Sequence, residues 1–327
     1  MKYDEKIRFE DRGIDVLAVG EVLVDMVSAC DRCRLGEDMY RRYFGGSVAN
    51  VAINVNDLGI KSTIVSAVGK DRLGDFLINY IDSAGVPTGY VQRVSDSTSM
   101  VLTNKSDSTP TPIFYRAADY NITYSQNLAN AVMDSKILHF SCWPISLQSS
   151  RDTIEKMISV ARESNVLVCF DPNYHKQIWD KNESDETALQ YIKSIISKVD
   201  IIKPSEDDAE RIFGKDSAHN QIDKFVSLGA KLVIMTLGKD GTIVSSKDCT
   251  SHYETLATEV VNTTGAGDAF WSGFYAAIVK GYTIQDAVSF GSAASAFKLK
   301  SESSVAGLPK LEQLRESYNL KCSEVKV

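Results

Sequence analysis

The sequence predicts an α/β fold in which a mostly parallel central sheet is flanked by helices and carries a small β-sheet as an excursion. Three observations predict it. Apolar, β-branched runs recur along the chain at the lengths of strands buried on both faces. Amphipathic segments of helical length lie between them, and strand alternating with helix implies parallel pairing. Two early regions, Asp25 to Phe44 and Val91 to Tyr115, break the alternation, the second with Ser, Thr, Asp and Pro among short strand-like runs.

In chain order, Met1 to Asp15 alternates charges with single apolar residues and is expected to be a frayed, solvated extension, 1–13, ahead of one domain over 14–327. Strands are expected at Val16 to Val19, Thr63 to Val68, Ile137 to Phe140, Val166 to Phe170, Ile201 to Lys203 and Leu232 to Thr236. Helices are expected at Arg72 to Ala84, Arg151 to Glu163, Glu186 to Ser197, Ser205 to Phe213 and Gln221 to Leu228. After Asp268 the pattern is helical, with Ala269 to Lys280 and Ile284 to Lys298 expected to pack against the late strands. The irregular regions, bounded at about 26–44 and 90–116, are expected to form one small sheet acting as a lid. Sheets of this kind hold ligands at the carboxyl ends of their strands, where such an excursion lies.

Composition narrows the function. The 327 residues carry a net charge of -7, with 43% hydrophobic and 24% charged residues. Lysine and arginine are scattered, so there is no electrostatic footprint for nucleic acid. No segment has the apolar length of a membrane span, and no signal peptide is evident, which points to the cytoplasm and away from membranes. Of the six cysteines, Cys30 and Cys33 have the spacing of half a zinc site with no second pair, and all are expected to be reduced thiols.

The strongest chemical signal is Val261-Asn262-Thr263-Thr264-Gly265-Ala266-Gly267-Asp268-Ala269-Phe270, small residues leading from a strand-like stretch into a helix. A helix N-terminus presents unpaired N–H donors and partial positive charge, and glycine lets a phosphate approach the backbone. Gly265, Ala266 and Gly267 are therefore a candidate anion hole. Asp268, at the same helix start, is within reach of whatever that hole holds and can accept a proton from an attacking hydroxyl. The competing reading makes Asp268 a helix cap, a frequent role for aspartate near a helix start. Phe270 stands where a dinucleotide fingerprint needs Gly or Ala, and no Gly-x-x-x-x-Gly-Lys-Ser/Thr run occurs, so neither of those phosphate sites is present.

On that segment the chain resembles the ribokinase-like sugar kinases, the PfkB carbohydrate kinase family, whose late signature reads Asp-Thr-Thr-Gly-Ala-Gly-Asp. The resemblance implies a ribokinase-like three-layer sandwich, ATP as phosphoryl donor with Mg2+, and a small-molecule sugar as acceptor. Asn262 replaces the signature's first aspartate, which in many members helps to bind an activating monovalent cation. Asn262 and Thr264 are thus the candidate cation ligands, and dependence on K+ stays open. Phe44-Gly45-Gly46-Ser47-Val48-Ala49-Asn50 resembles the family's early signature, in which Gly45 and Gly46 admit a polyol and Asn50 bonds its hydroxyls. Taken alone, Gly45-Gly46 is a turn before a helix. Gly20-Glu21-Val22-Leu23-Val24-Asp25 is similar to the family's first strand, and the resemblance gives Asp25 two sugar hydroxyls to hold.

Three middle segments follow in the family's order and belong by resemblance to the nucleotide side. Phe170-Asp171-Pro172-Asn173-Tyr174 supplies Asn173. Lys203-Pro204-Ser205-Glu206-Asp207-Asp208 supplies Lys203 and Ser205, with Asp208 as a water-bridged magnesium ligand where many members have glutamate. Ser205 is equally a helix N-cap. Met235-Thr236-Leu237-Gly238-Lys239-Asp240-Gly241 supplies Thr236, Gly238 and Gly241.

For the acceptor, Phe114-Tyr115-Arg116-Ala117-Ala118-Asp119 is similar to a segment of fructokinase-like members, and Arg116 is expected to reach the sugar from the lid. Kinases of 2-keto-3-deoxygluconate look alike here, yet typically carry arginine where this chain has His175, a weaker carboxylate partner read as a surface residue. The expectation is phosphorylation of fructose to fructose 6-phosphate. A 2-keto-3-deoxygluconate kinase, a ribokinase or a nucleoside kinase are the alternatives, and a catalytically silent sugar-binding regulator is the reading from a different class. Exposed Ile113 and Phe114 on the lid would suit a lid-to-lid homodimer.

Overall fold

The chain is described at residues 1–29, 39–103, 112–247, 249–301, 305 and 307–322 of a computed structural model. It runs through β1 (Ile14–Val19), β2 (Leu23–Ser28), β3 (Tyr40–Gly45), α1 (Ser47–Asp57), β4 (Ser62–Gly69), α2 (Arg72–Ser83), β5 (Val91–Val94), β6 (Met100–Thr103) and β7 (Ile113–Tyr115). Next come α3 (Gln126–Met133), β8 (Ser135–Ser141), α4 (Cys142–Ile145), α5 (Gln148–Glu163), β9 (Leu167–Asp171), α6 (Asp185–Ile196), β10 (Ile201–Ile202), α7 (Glu206–Phe213) and α8 (Ala218–Ser227). The last elements are β11 (Leu232–Thr236), β12 (Thr242–Ser246), β13 (Thr250–Tyr253), α9 (Ala266–Val279), α10 (Ile284–Leu299) and α11 (Leu311–Ser317).

Among the described residues nine strands form the central sheet in the order β13-β12-β11-β10-β9-β8-β1-β4-β5. The pairs from β5 to β11 are parallel, and β12 runs the other way, antiparallel to both β11 and β13. Every residue of β4 is buried, the mark of a strand covered on both faces. Alternation divides each strand between two cores: Val168 and Phe170 of β9 join α5 and α6 on one side, while Leu167 and Cys169 join α9 and α10 on the other. The three layers follow from that division.

The two irregular regions do make one separate sheet, in the order β3-β2-β6-β7. Residues 30–38 and 104–111, with the Cys30/Cys33 pair, lie outside the described residues. Cys142, Cys169, Cys249 and Cys322 are unbridged.

The N-terminal stretch corrects an expectation, because it is docked and not frayed. Tyr3 is buried and its hydroxyl donates to the carbonyls of Val244 and Cys249. The N–H groups of Gln285 and Ile284 donate to the carbonyls of Tyr3 and Glu5 at 2.9 and 3.1 Å, and Met1, Ile7 and Phe9 pack on the core around α9 and α10. The isolated apolar residues that looked solvated between charges are the ones that dock.

Parallel strands bring their carboxyl ends to one edge of the sheet. Glu21 follows β1, Asp171 ends β9, Lys203 follows β10 and Thr236 ends β11. Among the described residues no helix is long and apolar enough to cross a membrane.

Candidate active site

Asp268 lies in the first turn of α9, whose N-cap is Gly265 in the left-handed region at φ 82, and no side chain caps this helix. The capping role is therefore not the one it has. Its carboxylate reaches across to α1, where Oδ1 accepts from the Ser47 hydroxyl at 2.6 Å and Oδ2 from Asn50 Nδ2 at 2.9 Å. The residue is 8% exposed, and burial raises its pKa from 3.8 to about 6 against the lowering effect of those two bonds. A carboxylate so tuned is ionised at neutral pH and a better proton acceptor than an exposed aspartate.

Asn50 is 4% exposed, and while its amide nitrogen serves Asp268 its Oδ1 is buried without a partner. Buried acceptors are nearly always satisfied, so this oxygen marks a place for a ligand's donor. Gly46 precedes α1 at φ 115, and a Cβ there would lie 2.4 Å from the Glu21 carbonyl oxygen, so the backbone crossing needs glycine. Glu21 itself accepts from the Ser47 N–H at 2.9 Å and is pushed up to about 8 by burial. Asp25, on β2, is pushed up to about 7 for the same reason, and its Oδ2 lies so near Gly45 that a Cβ there would be 2.2 Å away. Among the described residues none of these three carboxyl groups has an ion-pair partner.

Sequence reasoning missed Ser47 and Glu21. A lone acid inside the apolar run from Val16 to Val24, and a hydroxyl at the first position of α1, were the available signals.

Arg116 corrects an expectation. Nε and Nη2 donate to Asp119 Oδ2 at 2.8 and 2.6 Å, Nη1 donates to the Ser146 hydroxyl and the Ile178 carbonyl at 2.6 Å each, and Nη2 reaches the Trp143 carbonyl at 3.3 Å. All five guanidinium donors are used by the protein, and none is left for a sugar. The residue ties the small sheet to α4 and to the segment at Ile178, because the fully buried Asp119 needs a cation. His175 is likewise not a simple surface residue: its ring packs 5.2 Å from that of Phe114, and burial, then Arg211, lower its pKa.

On the nucleotide side a cavity of about 650 Å³ is walled by Ser205, Thr236, Gly238, Gly241, Ala266 and Gly267, six of the residues expected there. Its other wall was not foreseen: Thr255, Ala257 and Val260 after β13, with Ser292, Ala296 and Leu299 from α10. These carry no motif: three stand in the loop after β13, and the three on α10 share only the spacing of one helix face. Asn173 does not line this cavity; it is an exposed turn residue at φ 35. Lys203 lies next to the anion hole, since a Cβ on Gly267 would meet its Nζ at 3.2 Å. Asp171 holds it there at 3.0 Å and in turn accepts from Trp271 Nε1 at 2.8 Å.

Two candidate ion ligands do not fit. Asp208 is 5% exposed, with Oδ1 taken by the Tyr174 N–H at 2.8 Å and Oδ2 by the Ser205 N–H and hydroxyl at 3.0 and 2.6 Å. It closes a capping box on α7 and has no free face for a metal-bound water. The acids on the cavity wall are Glu206 and Asp207 instead. Asn262 Oδ1 accepts from the Thr264 N–H at 2.9 Å, so the side chain expected to bind a monovalent cation closes a local turn. Among the described residues no group of three or more His, Cys, Asp or Glu is placed to hold a metal.

The family model described as "pfkB family carbohydrate kinase" matches residues 14–311. Among known proteins, the chain is 54% identical to an ATP-dependent 6-phosphofructokinase of Thermoanaerobacterium thermosaccharolyticum, over 98% of each chain. It is 29% identical to a 5-dehydro-2-deoxygluconokinase of Clostridium perfringens, over 97% of this chain and 94% of that one. Of solved structures, Halothermothrix orenii fructokinase superposes with a TM-score of 0.75 at 35% identity, over 85% of this chain and 98% of that chain.

Proposed function

This chain belongs to the pfkB family of carbohydrate kinases, an ATP-dependent phosphotransferase acting on a sugar hydroxyl, and from that premise we propose that its acceptor is fructose 6-phosphate and its general base Asp268. The relative at 54% identity over 98% of both chains carries the choice of acceptor. Free fructose is the second reading, favoured by the likeness to the Halothermothrix orenii fructokinase at 35% identity.

The lid sheet supports a phosphorylated acceptor. In the β2–β3 register Asp25 faces Tyr43 and Val27 faces Arg41, so strand alternation sets Arg41 on the face of Asp25, two residues farther out. Two residues along a strand is about 7 Å, close to the reach from one end of a hexose to the other. An exposed guanidinium at that distance suits a 6-phosphate, which it can bind in two-pronged fashion.

In the proposed reaction Asp25 and the open Oδ1 of Asn50 hold sugar hydroxyls, and the primary hydroxyl donates to Asp268. The γ-phosphate rests on the N–H groups of Gly265, Ala266 and Gly267, with the Lys203 ammonium beside it. As the sugar oxygen bonds to the γ-phosphorus, its proton passes to Asp268 and the bond to the bridging oxygen of ADP breaks. Magnesium accompanying ATP would screen the phosphates, and Glu206 and Asp207 are the wall residues able to hold its water shell. The small sheet is proposed as a lid that excludes water. It leaves Met39, Ile113 and Tyr115 exposed, which supports a contact between two lids, whereas Phe114 already packs on Trp143 at 5.6 Å.

The test is ADP release with fructose 6-phosphate, fructose, 2-keto-3-deoxygluconate, 5-dehydro-2-deoxygluconate, ribose and nucleosides. Fructose 6-phosphate is expected to give the highest kcat/KM, and Arg41→Ala to lower that value by about 10- to 150-fold, the worth of about 1.5–3 kcal/mol for a charged hydrogen bond, with fructose unaffected. Preference for free fructose would replace the first reading with the second. Sugar binding without turnover of any acceptor would favour a silent regulator.

A further inference from the structure

The chain departs from its family's late signature at Asn262, and at that place the fold supplies a cation of its own. Lys298 lies in the last turn of α10 and is fully buried. Its Nζ donates to the carbonyl oxygen of Asn262 at 2.7 Å and, more weakly, to that of Ser301 at 3.5 Å. Those carbonyls belong to the two segments that meet before the anion hole, the run into α9 and the chain leaving α10. The N–H groups of Val261 and Asn262 join the same segments by donating to the Leu299 carbonyl at 2.7 and 3.3 Å.

An ammonium set among backbone carbonyls carries the charge of a potassium ion and donates to oxygens of the kind that such an ion coordinates. The Asn262 side chain is already committed to Thr264, so the residues present do not fit a bound potassium ion. We propose that the Lys298 ammonium is a built-in counterpart of the activating monovalent cation, so that phosphoryl transfer by this chain does not require potassium.

Two considerations favour a functional reason for the charge. Among the described residues no carboxylate contacts this buried ammonium, and burying a charge so costs stability that leucine or methionine at the same helical position would not lose. Burial pulls the Lys298 pKa down, and the charge that opposes this is the one on Asp268. The lysine thus lies within the electrostatic reach of the proposed base, where it can steady Asn262 to Thr264 and add fixed positive charge behind the phosphate-binding N–H groups.

The experiment compares the full chain in potassium and in tetramethylammonium buffers of equal ionic strength, with whichever sugar acceptor gives turnover. Wild type is expected to change kcat by less than about twofold, and Lys298→Met to lose at least about tenfold in tetramethylammonium, as loss of one preorganised charge implies. Activation of wild type several-fold by potassium overturns the proposal, and so does a Lys298→Met variant with wild-type turnover in tetramethylammonium. Should that variant fail to fold, the Kd of wild type for a non-hydrolysable ATP analogue decides by calorimetry in the two salts. Equal values support the proposal, and tighter binding in potassium overturns it.

Discussion

Replacing Asp268 by asparagine removes the proposed base with almost no change of shape, and its neighbours allow the replacement. The new amide oxygen can still accept from the Ser47 hydroxyl, while its nitrogen would face Asn50 Nδ2, donor against donor. The unpartnered Asn50 Oδ1 offers the remedy, because a turn of that amide presents an acceptor instead. Folding is therefore expected to survive. Burial raises the Asp268 pKa from 3.8 to about 6, which at 1.36 kcal/mol per unit is about 3 kcal/mol, an order-of-magnitude figure. For a raised carboxyl the stabilising contribution is present at low pH and lost as pH rises through about 6. Asp268→Asn should thus hold or raise the melting temperature at pH 8 while kcat falls by about 10²- to 10⁴-fold, the usual worth of general-base catalysis. Wild type should also titrate: roughly nine-tenths of the base is ionised at about pH 7 and roughly one-tenth at about pH 5, so kcat/KM for the sugar should fall about tenfold between them. A coupled ADP-release assay over a range of sugar concentrations at saturating ATP measures both. A variant kcat within tenfold of wild type, or a flat wild-type profile over that range, would refute the assignment.

Gly267→Ala sets a Cβ 3.2 Å from Lys203 Nζ, so the ammonium must give way by a few tenths of an ångström and the anion hole gains a methyl group; kcat/KM for ATP should drop at least about tenfold with little change in melting temperature, and an unchanged kcat/KM would count against Lys203. Arg116→Ala leaves Asp119 buried without its cation and should cost about 3–5 kcal/mol in urea unfolding, against an expected loss under about 1 kcal/mol if the guanidinium were free. Glu21→Gln keeps the acceptor for the Ser47 N–H but removes a carboxyl whose pKa is pushed up to about 8, so wild type should lose melting temperature as pH rises through about 8 and the variant should not. Parallel melting curves at about pH 6 and pH 9 would expose a failure of that reasoning.

Much of the fold was legible because β-branched runs and helical periodicity are local properties. Strand and helix expectations from Val16 to Lys298 fall on observed elements, and the break in alternation marked the small sheet. Less legible was the tail, where lone apolar residues such as Tyr3 gave no periodic signal. In the site, Asp268, Asn50 and the cavity-lining Gly238 and Gly241 were readable because short glycine-rich segments mark them. Ser47 and Glu21 were not, since their contacts join residues separated by as many as 221 positions. Arg116, Asp208 and Asn262 carried expectations by resemblance, yet each uses its polar atoms inside the protein, which composition and spacing do not reveal. Lys298 was hidden for a different reason: a lysine in the last turn of a helix is ordinarily there for the helix dipole.

Asp268 as the base that faces the acceptor is tested most directly by a structure of the chain with fructose 6-phosphate and a non-hydrolysable ATP analogue. The acceptor's primary hydroxyl is expected within about 3.2 Å of an Asp268 carboxylate oxygen, in line with a γ-phosphate resting on the N–H groups of Gly265 to Gly267. A sugar bound with that hydroxyl directed away from Asp268, or a γ-phosphate seated elsewhere, would contradict it.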